Sequence, residues 1–243
     1  VGAPPHVGVP HAPESVGTPG WNGGQLAVIV SGISVGFVNP PPACWYQAPF
    51  VVPGQYGTLY LAGINSTVDL AGKLGYTTLD NQKFGLALAI GGGGVQPLQH
   101  ADAFAALAND GKYNPTTPIL LVEDSSGKTL EKFAKKEQQV VDKNAVRMLD
   151  DVLSDNSARA FVFGTKNYLT LGSRPVAAKT GTTNDFKDGW TVGFTPQLVA
   201  AVWVGNNDFT AMRSGADGSI VAAPIWNAFM KRSLDGRPVK YFP

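Results

Sequence analysis

The residues whose types and spacing point most directly to chemistry are Lys179-Thr180-Gly181-Thr182-Thr183, which follow the strand-like run 176–178. Lys179 supplies a cation at a fixed place, and the hydroxyls of Thr180 and Thr182 can hydrogen-bond a carboxylate. Gly181 has no side chain, so an extended ligand can approach the strand backbone closely. Together these residues can hold a carboxylate ligand beside the strand.

The sequence around this motif decides whether Lys179 is a site residue or an ordinary solvated charge at the end of a strand. After a short polar loop come Gly189-Trp190-Thr191-Val192-Gly193-Phe194-Thr195-Pro196 and Val202-Trp203-Val204-Gly205. Residues 86–109 and 222–230 add further matches to one family pattern. With them, residues 61–243 resemble the transpeptidase domain of penicillin-binding proteins, most closely the class A, two-domain enzymes of cell-wall synthesis.

The resemblance implies a D,D-transpeptidase that binds D-Ala-D-Ala stem peptides of peptidoglycan and is a target of β-lactams. It implies no cofactor, no metal and an extracytoplasmic location, in the periplasm or on the outer face of the bacterial membrane. It also implies that the backbone N–H of Thr182 is an oxyanion-hole donor, a contribution of ~3–4 kcal/mol to the barrier in other enzymes. The implied catalytic residues are Lys179, Thr182 and Asn65, and the implied substrate-binding residues are Thr180, Gly181 and Thr183.

The nucleophile that the family places in a Pro-Gly-Ser-x-x-Lys segment is missing from the matching position. That position reads Pro19-Gly20-Trp21-Asn22-Gly23-Gly24, followed by an apolar run from Leu26. Trp21 stands where the serine would be, and Gly24 stands where the lysine would be. Without the hydroxyl there is no acyl-enzyme, and without the amine no base takes its proton.

The other motif positions also depart from the family pattern. The Ser-x-Asn motif reads Gly63-Ile64-Asn65, so the asparagine matches and the serine does not. Asn65 orients a substrate amide in one interpretation and caps the helix that follows in the other. The only literal Ser-x-x-Lys, Ser125 to Lys128, overlaps the hairpin signal 124–127, and we interpret it as a turn.

Two functions remain open from the sequence, together with a question about its first part. The chain is either an acyl-transfer enzyme or a non-catalytic module that binds peptidoglycan peptides without forming the acyl intermediate. Residues 1–60 are rich in Pro and Gly, and both failures of the motif lie within or beside them. A damaged, frameshifted or discontinuous stretch there is the third possibility. We expect a family member with an impaired site.

Composition excludes several other classes of protein. Hydrophobic residues make up 44% and charged residues 15% of the 243 residues, which is typical of a globular domain. The net charge is +1 with no basic run, so no nucleic-acid partner is expected. Cys44 is the single cysteine, which excludes an intrachain disulfide.

The longest apolar run, 26–38, is shorter than a membrane span of ~20 residues. We expect the chain to be a fragment with its membrane anchor upstream.

The elements that must position the motif follow from hydrophobic periodicity and turn residues. Residues 1–60 are expected to form an irregular lead-in, and 61–243 the transpeptidase-like domain. Helices are predicted over 65–74, 98–109, 143–153 and 223–234, and strands over 119–123, 128–133, 177–180, 189–195 and 198–205. The turn at 195–197 predicts an antiparallel pair for the last two strands. The fold class is therefore α+β, an antiparallel sheet flanked by helices. His100 is predicted to lie on the helix 98–109 as a boundary side chain, between core and solvent, and Trp190, Trp203 and Trp226 are predicted to pack in the core.

Overall fold

The predicted combination of helices and an antiparallel sheet is confirmed in the structure, a computed structural model that describes residues 62–79 and 84–243. The expected lead-in over 1–60, with Trp21 and Gly24, lies outside the described residues. The division of the chain at residue 60 therefore stays a prediction.

Six α-helices occur in the described ranges, and most begin at a residue suited to that position. They are α1 (Ile64–Lys73), α2 (Pro97–Ala108), α3 (Lys143–Ser154), α4 (Asn156–Phe163), α5 (Gly218–Val221) and α6 (Ala223–Ser233), with 3₁₀ turns at Leu86–Ile90 and Asn184–Phe186. Asp142 caps α3 by accepting hydrogen bonds from the N–H groups of Asn144 and Ala145. Pro97 opens α2, where a missing N–H costs nothing.

The strands form three antiparallel units. The short strands β1 (Lys112–Tyr113) and β4 (Gln138–Gln139) pair with each other, as do β2 (Leu121–Glu123) and β3 (Thr129–Lys132). The main sheet is three-stranded in the order β5 (Ala177–Thr182), β6 (Asp188–Thr195) and β7 (Leu198–Gly205). The predicted turn at 195–197 is confirmed, since Thr195 lies opposite Leu198 in the β6–β7 register.

The main sheet is covered by helices on both faces. On one face the ring of Phe104 in α2 lies 6.0 Å from that of Phe194 in β6. On the other face Trp226 in α6 donates a hydrogen bond of 3.1 Å from its Nε1 to the carbonyl of Ala200. Because neighbouring side chains of a strand point to opposite faces, Phe194 and the adjacent Gly193 face different helices. Two apolar clusters therefore hold the sheet between them.

The prediction that His100 is a boundary side chain, between core and solvent, is wrong, because the residue is only 1% exposed. Its ring packs against Tyr76, Phe104 and Trp190, and its Nδ1 lies 2.6 Å from the hydroxyl of Tyr76. Burial lowers the pKa of His100 to about 3, so the ring is neutral at pH 7. The spacing of apolar residues along α2 did not predict that the side of the helix carrying His100 packs against the sheet. The core positions predicted for Trp190 and Trp226 are confirmed.

We expect the close contact at Gly193 to make that position intolerant of any side chain. A Cβ there would lie 2.6 Å from Cζ2 of Trp226 and 2.8 Å from the carbonyl oxygen of Ala177. Gly193→Ala should therefore lower the free energy of unfolding by about 1–3 kcal/mol, measured by urea denaturation. Gly94→Ala is the matched control, since nothing lies within 4 Å of its new Cβ. Equal losses in both variants would contradict this account.

Candidate functional site

The strand that carries the motif has one free edge in the described sheet, and its backbone alternation can be assigned. The N–H of Thr183 donates to the carbonyl of Asp188 at 3.1 Å, so the odd-numbered residues pair with β6. The carbonyl of Ala178 instead accepts a hydrogen bond from Arg159 on α4, away from β6. The backbone groups of Ala178, Thr180 and Thr182 therefore point to the outer edge of β5.

The carbonyl oxygens of Ala178 and Thr180 along this edge accept hydrogen bonds from cationic side chains. The backbone N–H groups along the same edge do not have such partners. Nη1 of Arg159 lies 3.1 Å from the carbonyl oxygen of Ala178, and Nζ of Lys179 lies 2.6 Å from that of Thr180. The outward N–H groups of Thr180 and Thr182 have no partner strand within residues 62–79 and 84–243. The edge is thus a row of donors and cations, which suits a ligand rich in acceptors such as a carboxylate or carbonyl.

Lys179 is a half-buried cation whose environment weakens its hold on a proton. Burial, and to a smaller extent the positive charge of Arg159, lower the pKa of Lys179 to about 8. Arg159 is held in place by a second hydrogen bond of 2.6 Å from its Nη2 to the carbonyl of Leu153 at the end of α3. Sequence reasoning missed Arg159, because only the tertiary fold brings α4 to β5.

The hydroxyls of Thr180 and Thr182 lie on one face of the sheet, and the aliphatic part of the Lys179 side chain lies on the other. The Lys179 side chain bends round the edge of the strand, which brings its amine to that edge. Thr180 is 8% exposed, and its hydroxyl has no hydrogen-bond partner in the part of the chain that the structure describes. The hydroxyl oxygen of Thr182 accepts a bond of 3.0 Å from the N–H of Gly218. The carbonyl of Gly218 accepts in turn from the hydroxyl of Thr191 at 3.2 Å. Thr182 therefore keeps its own hydroxyl proton for donation to a ligand.

Thr183 and Asp188 close the turn that joins β5 to β6. The hydroxyl of Thr183 donates to Oδ2 of Asp188 at 2.9 Å and accepts from its N–H at 2.7 Å. Oδ1 of Asp188 accepts from Nε1 of Trp203 at 2.8 Å. Asp188 is a buried carboxylate, and these bonds satisfy it. The pattern Asp188-Gly189-Trp190 is present in the sequence. Only the structure shows that Asp188 lies opposite Thr183.

Asn65 is exposed in the first turn of α1, and its expected capping role is wrong. Gly63 is the N-cap residue, with a φ of 81° that favours glycine. Thr67 supplies the local hydrogen bonds instead, because its hydroxyl donates to the carbonyl of Gly63 at 2.9 Å. No hydrogen bond joins Asn65 to β5 within the described ranges. The structure therefore brings Lys179, Thr180, Gly181 and Thr182 together on one edge, and a role of Asn65 beside them stays a prediction.

The literal Ser-x-x-Lys at Ser125 to Lys128 forms the turn between β2 and β3, as predicted. Oδ1 of Asp124 accepts hydrogen bonds from the hydroxyl of Ser126 at 2.6 Å and from the N–H of Lys128 at 3.0 Å. Gly127 has a φ of 81°, which closes the turn. In this hairpin the serine hydroxyls face solvent and Asp124, so the motif is a product of turn chemistry.

The described residues contain neither a membrane-spanning helix nor a cluster of metal ligands. None of the helices in 62–79 and 84–243 is long and apolar enough to cross a membrane. In the same ranges no three His, Cys, Asp or Glu side chains come together in a way that would hold a metal ion.

Comparison with known proteins identifies the family. The Penicillin binding protein transpeptidase domain matches residues 63–231. Penicillin-binding protein 1A of Aquifex aeolicus is 37% identical over 170 residues, which cover 70% of this chain and 22% of that protein. Penicillin-binding protein 1A of Neisseria lactamica is 34% identical over 167 residues, covering 64% of this chain and 20% of that protein. The chain thus spans about a fifth of the length of these relatives.

Solved structures show the same fold. The penicillin-binding protein PonA1 from Mycobacterium tuberculosis has a TM-score of 0.76 at 20% identity, covering 94% of this chain and 71% of that one. Its complex with penicillin V has a TM-score of 0.75 at 20% identity, with coverages of 94% and 73%. Penicillin-Binding Protein 1A from Haemophilus influenzae has a TM-score of 0.67 at 23% identity, with coverages of 77% and 33%. The family match shows that this chain belongs to the penicillin-binding protein transpeptidase domain family.

Proposed function

We propose that this domain binds D-Ala-D-Ala stem peptides of peptidoglycan, and β-lactams, along the outer edge of β5. It works in cell-wall synthesis outside the cytoplasm as a D,D-transpeptidase-type domain, and its own acyl transfer is impaired. The observation that carries the proposal is the edge itself, where Lys179 and Arg159 occupy the carbonyl acceptors and leave N–H donors outward. The penicillin V complex of the PonA1 protein supports β-lactam binding at this fold.

The ligand's terminal carboxylate lies near the amine of Lys179 and the hydroxyls of Thr180 and Thr182. Charge-assisted hydrogen bonds of this kind are roughly twice as strong as neutral ones. The N–H of Thr182 points outward and meets the carbonyl oxygen of the scissile bond as an oxyanion donor. Gly181 leaves the strand surface open beside that bond. Thr183, whose hydroxyl is bonded to Asp188, keeps the end of the strand in register.

We infer that acyl transfer is impaired because the serine and the lysine are missing from the family's motif position in this sequence. Trp21 and Gly24 occupy the positions of the family's serine and lysine. The one literal Ser-x-x-Lys is the exposed β2–β3 turn. Among the described residues no serine hydroxyl is hydrogen-bonded to a lysine amine, so none is activated there as a nucleophile. Binding and chemistry are therefore separable in this chain.

The alternative function is a purely non-catalytic module that binds peptidoglycan peptides. It shares the same edge of β5 and differs only in that acyl transfer is absent altogether. A damaged or discontinuous stretch over residues 1–60 gives the same outcome by another route. Covalent reaction with a β-lactam separates the enzyme from both alternatives.

Fluorescent penicillin should not form a bond with this chain that survives denaturation. The expected result is no labelled band after gel electrophoresis in denaturing conditions, since no acyl-enzyme serine is present at the family's position. An active class A penicillin-binding protein is the positive control for the reagent. A denaturation-resistant label would contradict the impaired site, and mapping the labelled peptide would identify the residue.

Reversible peptide binding should depend on Lys179. We expect Lys179→Ala to weaken the affinity for N-acetyl-D-alanyl-D-alanine by about 10- to 100-fold, because a hydrogen bond to a charged group contributes about 1.5–3 kcal/mol. Isothermal titration calorimetry or ligand-observed NMR measures the affinity. Lys128→Ala is the matched control, since Lys128 is exposed in the turn between β2 and β3, which form a sheet separate from that of β5. Equal affinities in the two variants would sink the proposed binding mode.

Binding of the carboxylate should weaken as pH rises through about 8, the pKa to which burial and Arg159 lower that of Lys179. Only the protonated amine attracts a carboxylate, so the affinity is full below that pH and falls about tenfold for each further pH unit. Affinities measured from pH 6 to pH 10 test this directly. A midpoint near 10.5, the ordinary value for lysine, would show that the amine is not perturbed.

A further inference from the structure

The helix α6 packs one side against the domain and leaves apolar side chains on the other. Trp226, Asn227 and Met230 are buried on the inner side. Ile225 and Phe229 are 54% and 49% exposed, and because they are four residues apart they are neighbours on the outward face. A single exposed apolar side chain is ordinary, but an adjacent pair on the ridge of a helix offers a contact surface to a partner.

Positive charge is concentrated at the C-terminal end of this face. Residues 222–243 contain one acidic side chain, Asp235, and four basic ones. The basic residues, all of them exposed, are Lys231, Arg232, Arg237 and Lys240. The side chains of this segment therefore carry a net charge of +3, whereas the whole chain carries +1. In the part of the chain that the structure describes, none of the four cations belongs to an ion pair.

The chain after α6 is fastened to the domain, so its cations are held on the surface. Arg174 donates hydrogen bonds of 2.6 to 3.3 Å to three backbone carbonyls of this segment, those of Leu234, Arg237 and Pro238. Further along, the ring of Phe242 lies 5.7 Å from that of Phe194 in β6. Lys240 lies between these two anchors. The positive charge beside α6 is therefore part of the folded surface.

Stabilisation of the helix accounts for only part of this charge. Lys231 and Arg232 lie in the last turn of α6, where cations interact favourably with the helix dipole. Arg237 and Lys240 lie beyond that turn, and the dipole interaction falls off within it. The exposed apolar pair has no part in it at all. Apolar side chains on a helix with lysine and arginine beside them are typical of helices that lie in the interface of a membrane.

We propose that the outward face of α6 and the segment that follows it dock on an anionic lipid surface. Ile225 and Phe229 enter the boundary between headgroups and acyl chains, and the four cations meet the anionic headgroups. The apolar pair favours a lipid surface over a purely hydrophilic anionic polymer. A lipid surface also adapts to a convex ridge, whereas a protein partner would need a groove of matching shape.

This docking goes beyond the proposed function and does not depend on it. The helix α6 is bonded to β7, through Nε1 of Trp226 and the carbonyl of Ala200, and β6 separates β7 from β5. The docked face therefore does not include the edge of β5 that carries Lys179.

Sedimentation of the full chain with lipid vesicles tests the docking. Vesicles of phosphatidylcholine mixed with phosphatidylglycerol should bind the chain, and vesicles of phosphatidylcholine alone should not. Added salt should weaken the binding, because it screens surface charges. Lys231→Gln combined with Arg232→Gln should weaken it about 25-fold, since each basic side chain near an anionic membrane contributes about fivefold. Phe229→Ser should weaken it about three- to tenfold, because the half-exposed ring no longer enters the lipid.

Matched controls come from the hairpin of β2 and β3. Lys128→Gln combined with Lys132→Gln removes the same net charge from exposed positions, and Leu130→Ser removes an apolar side chain that is 62% exposed. Neither control should change the binding to vesicles. Lys179→Ala should not change it either, so failure of the proposed peptide binding and failure of lipid docking are distinguishable.

Several results would overturn lipid docking. Equal sedimentation with neutral and anionic vesicles, or none with either, would do so directly. Losses of the same size in the hairpin controls would show that net charge alone drives the binding. Self-association without vesicles, measured by analytical ultracentrifugation and abolished by Phe229→Ser, would assign the face to a second copy of the chain. Binding to polyglutamate at chain concentrations that leave the vesicles free would assign it to an acidic protein.

Discussion

The alternation of backbone groups along β5 is the constraint on which the rest of the site depends. Because the odd residues pair with β6, the even residues must present their N–H and C=O groups to the outer edge. An open edge of this kind invites pairing with any other strand, which is a route to aggregation. Arg159 and Lys179 resolve the conflict by covering the carbonyls and sparing the N–H groups. The same two contacts therefore prevent pairing with an arbitrary strand. They leave the N–H groups available to a ligand that is rich in hydrogen-bond acceptors.

A strand used for recognition must also be held still, and its supports come from the far side of the sheet. Gly218 bonds to Thr182 through its N–H and to Thr191 through its carbonyl, so the start of α5 clamps β5 to β6. Asp188 fixes the turn after the motif through Thr183 and Trp203. Each support is either a backbone group or a buried carboxylate whose hydrogen bonds are satisfied. The supports therefore keep the strand rigid without placing an unpaired polar group in the core.

The sequence predicted the regular part of this architecture because local signals and packing agreed there. The helix α3 shows a clear apolar face and an aspartate cap, and β6 and β7 follow from a short turn between apolar runs. The helix α4 was missed because it has no buried residue within it and therefore no periodicity to detect. Arg159 and Asp188 were missed as site residues for a different reason. Their roles arise from contacts between distant segments, which spacing along the chain does not encode. His100 shows the reverse error, since a polar residue type suggested exposure where α2 buries it.

In the proposed function, recognition of a carboxylate makes its own electrostatic demand on Lys179. A buried amine repelled by Arg159 is costly to keep protonated, as its lowered pKa records. A ligand carboxylate placed between the two cations removes that cost, so the charge repulsion of the empty site becomes affinity in the complex. This gain needs only the strand, α4 and the supports of the turn, all of which lie within residues 156–218. The nucleophile contributes nothing to it. Under the proposed function, this edge can therefore contribute binding energy for a carboxylate ligand whether or not acyl transfer follows.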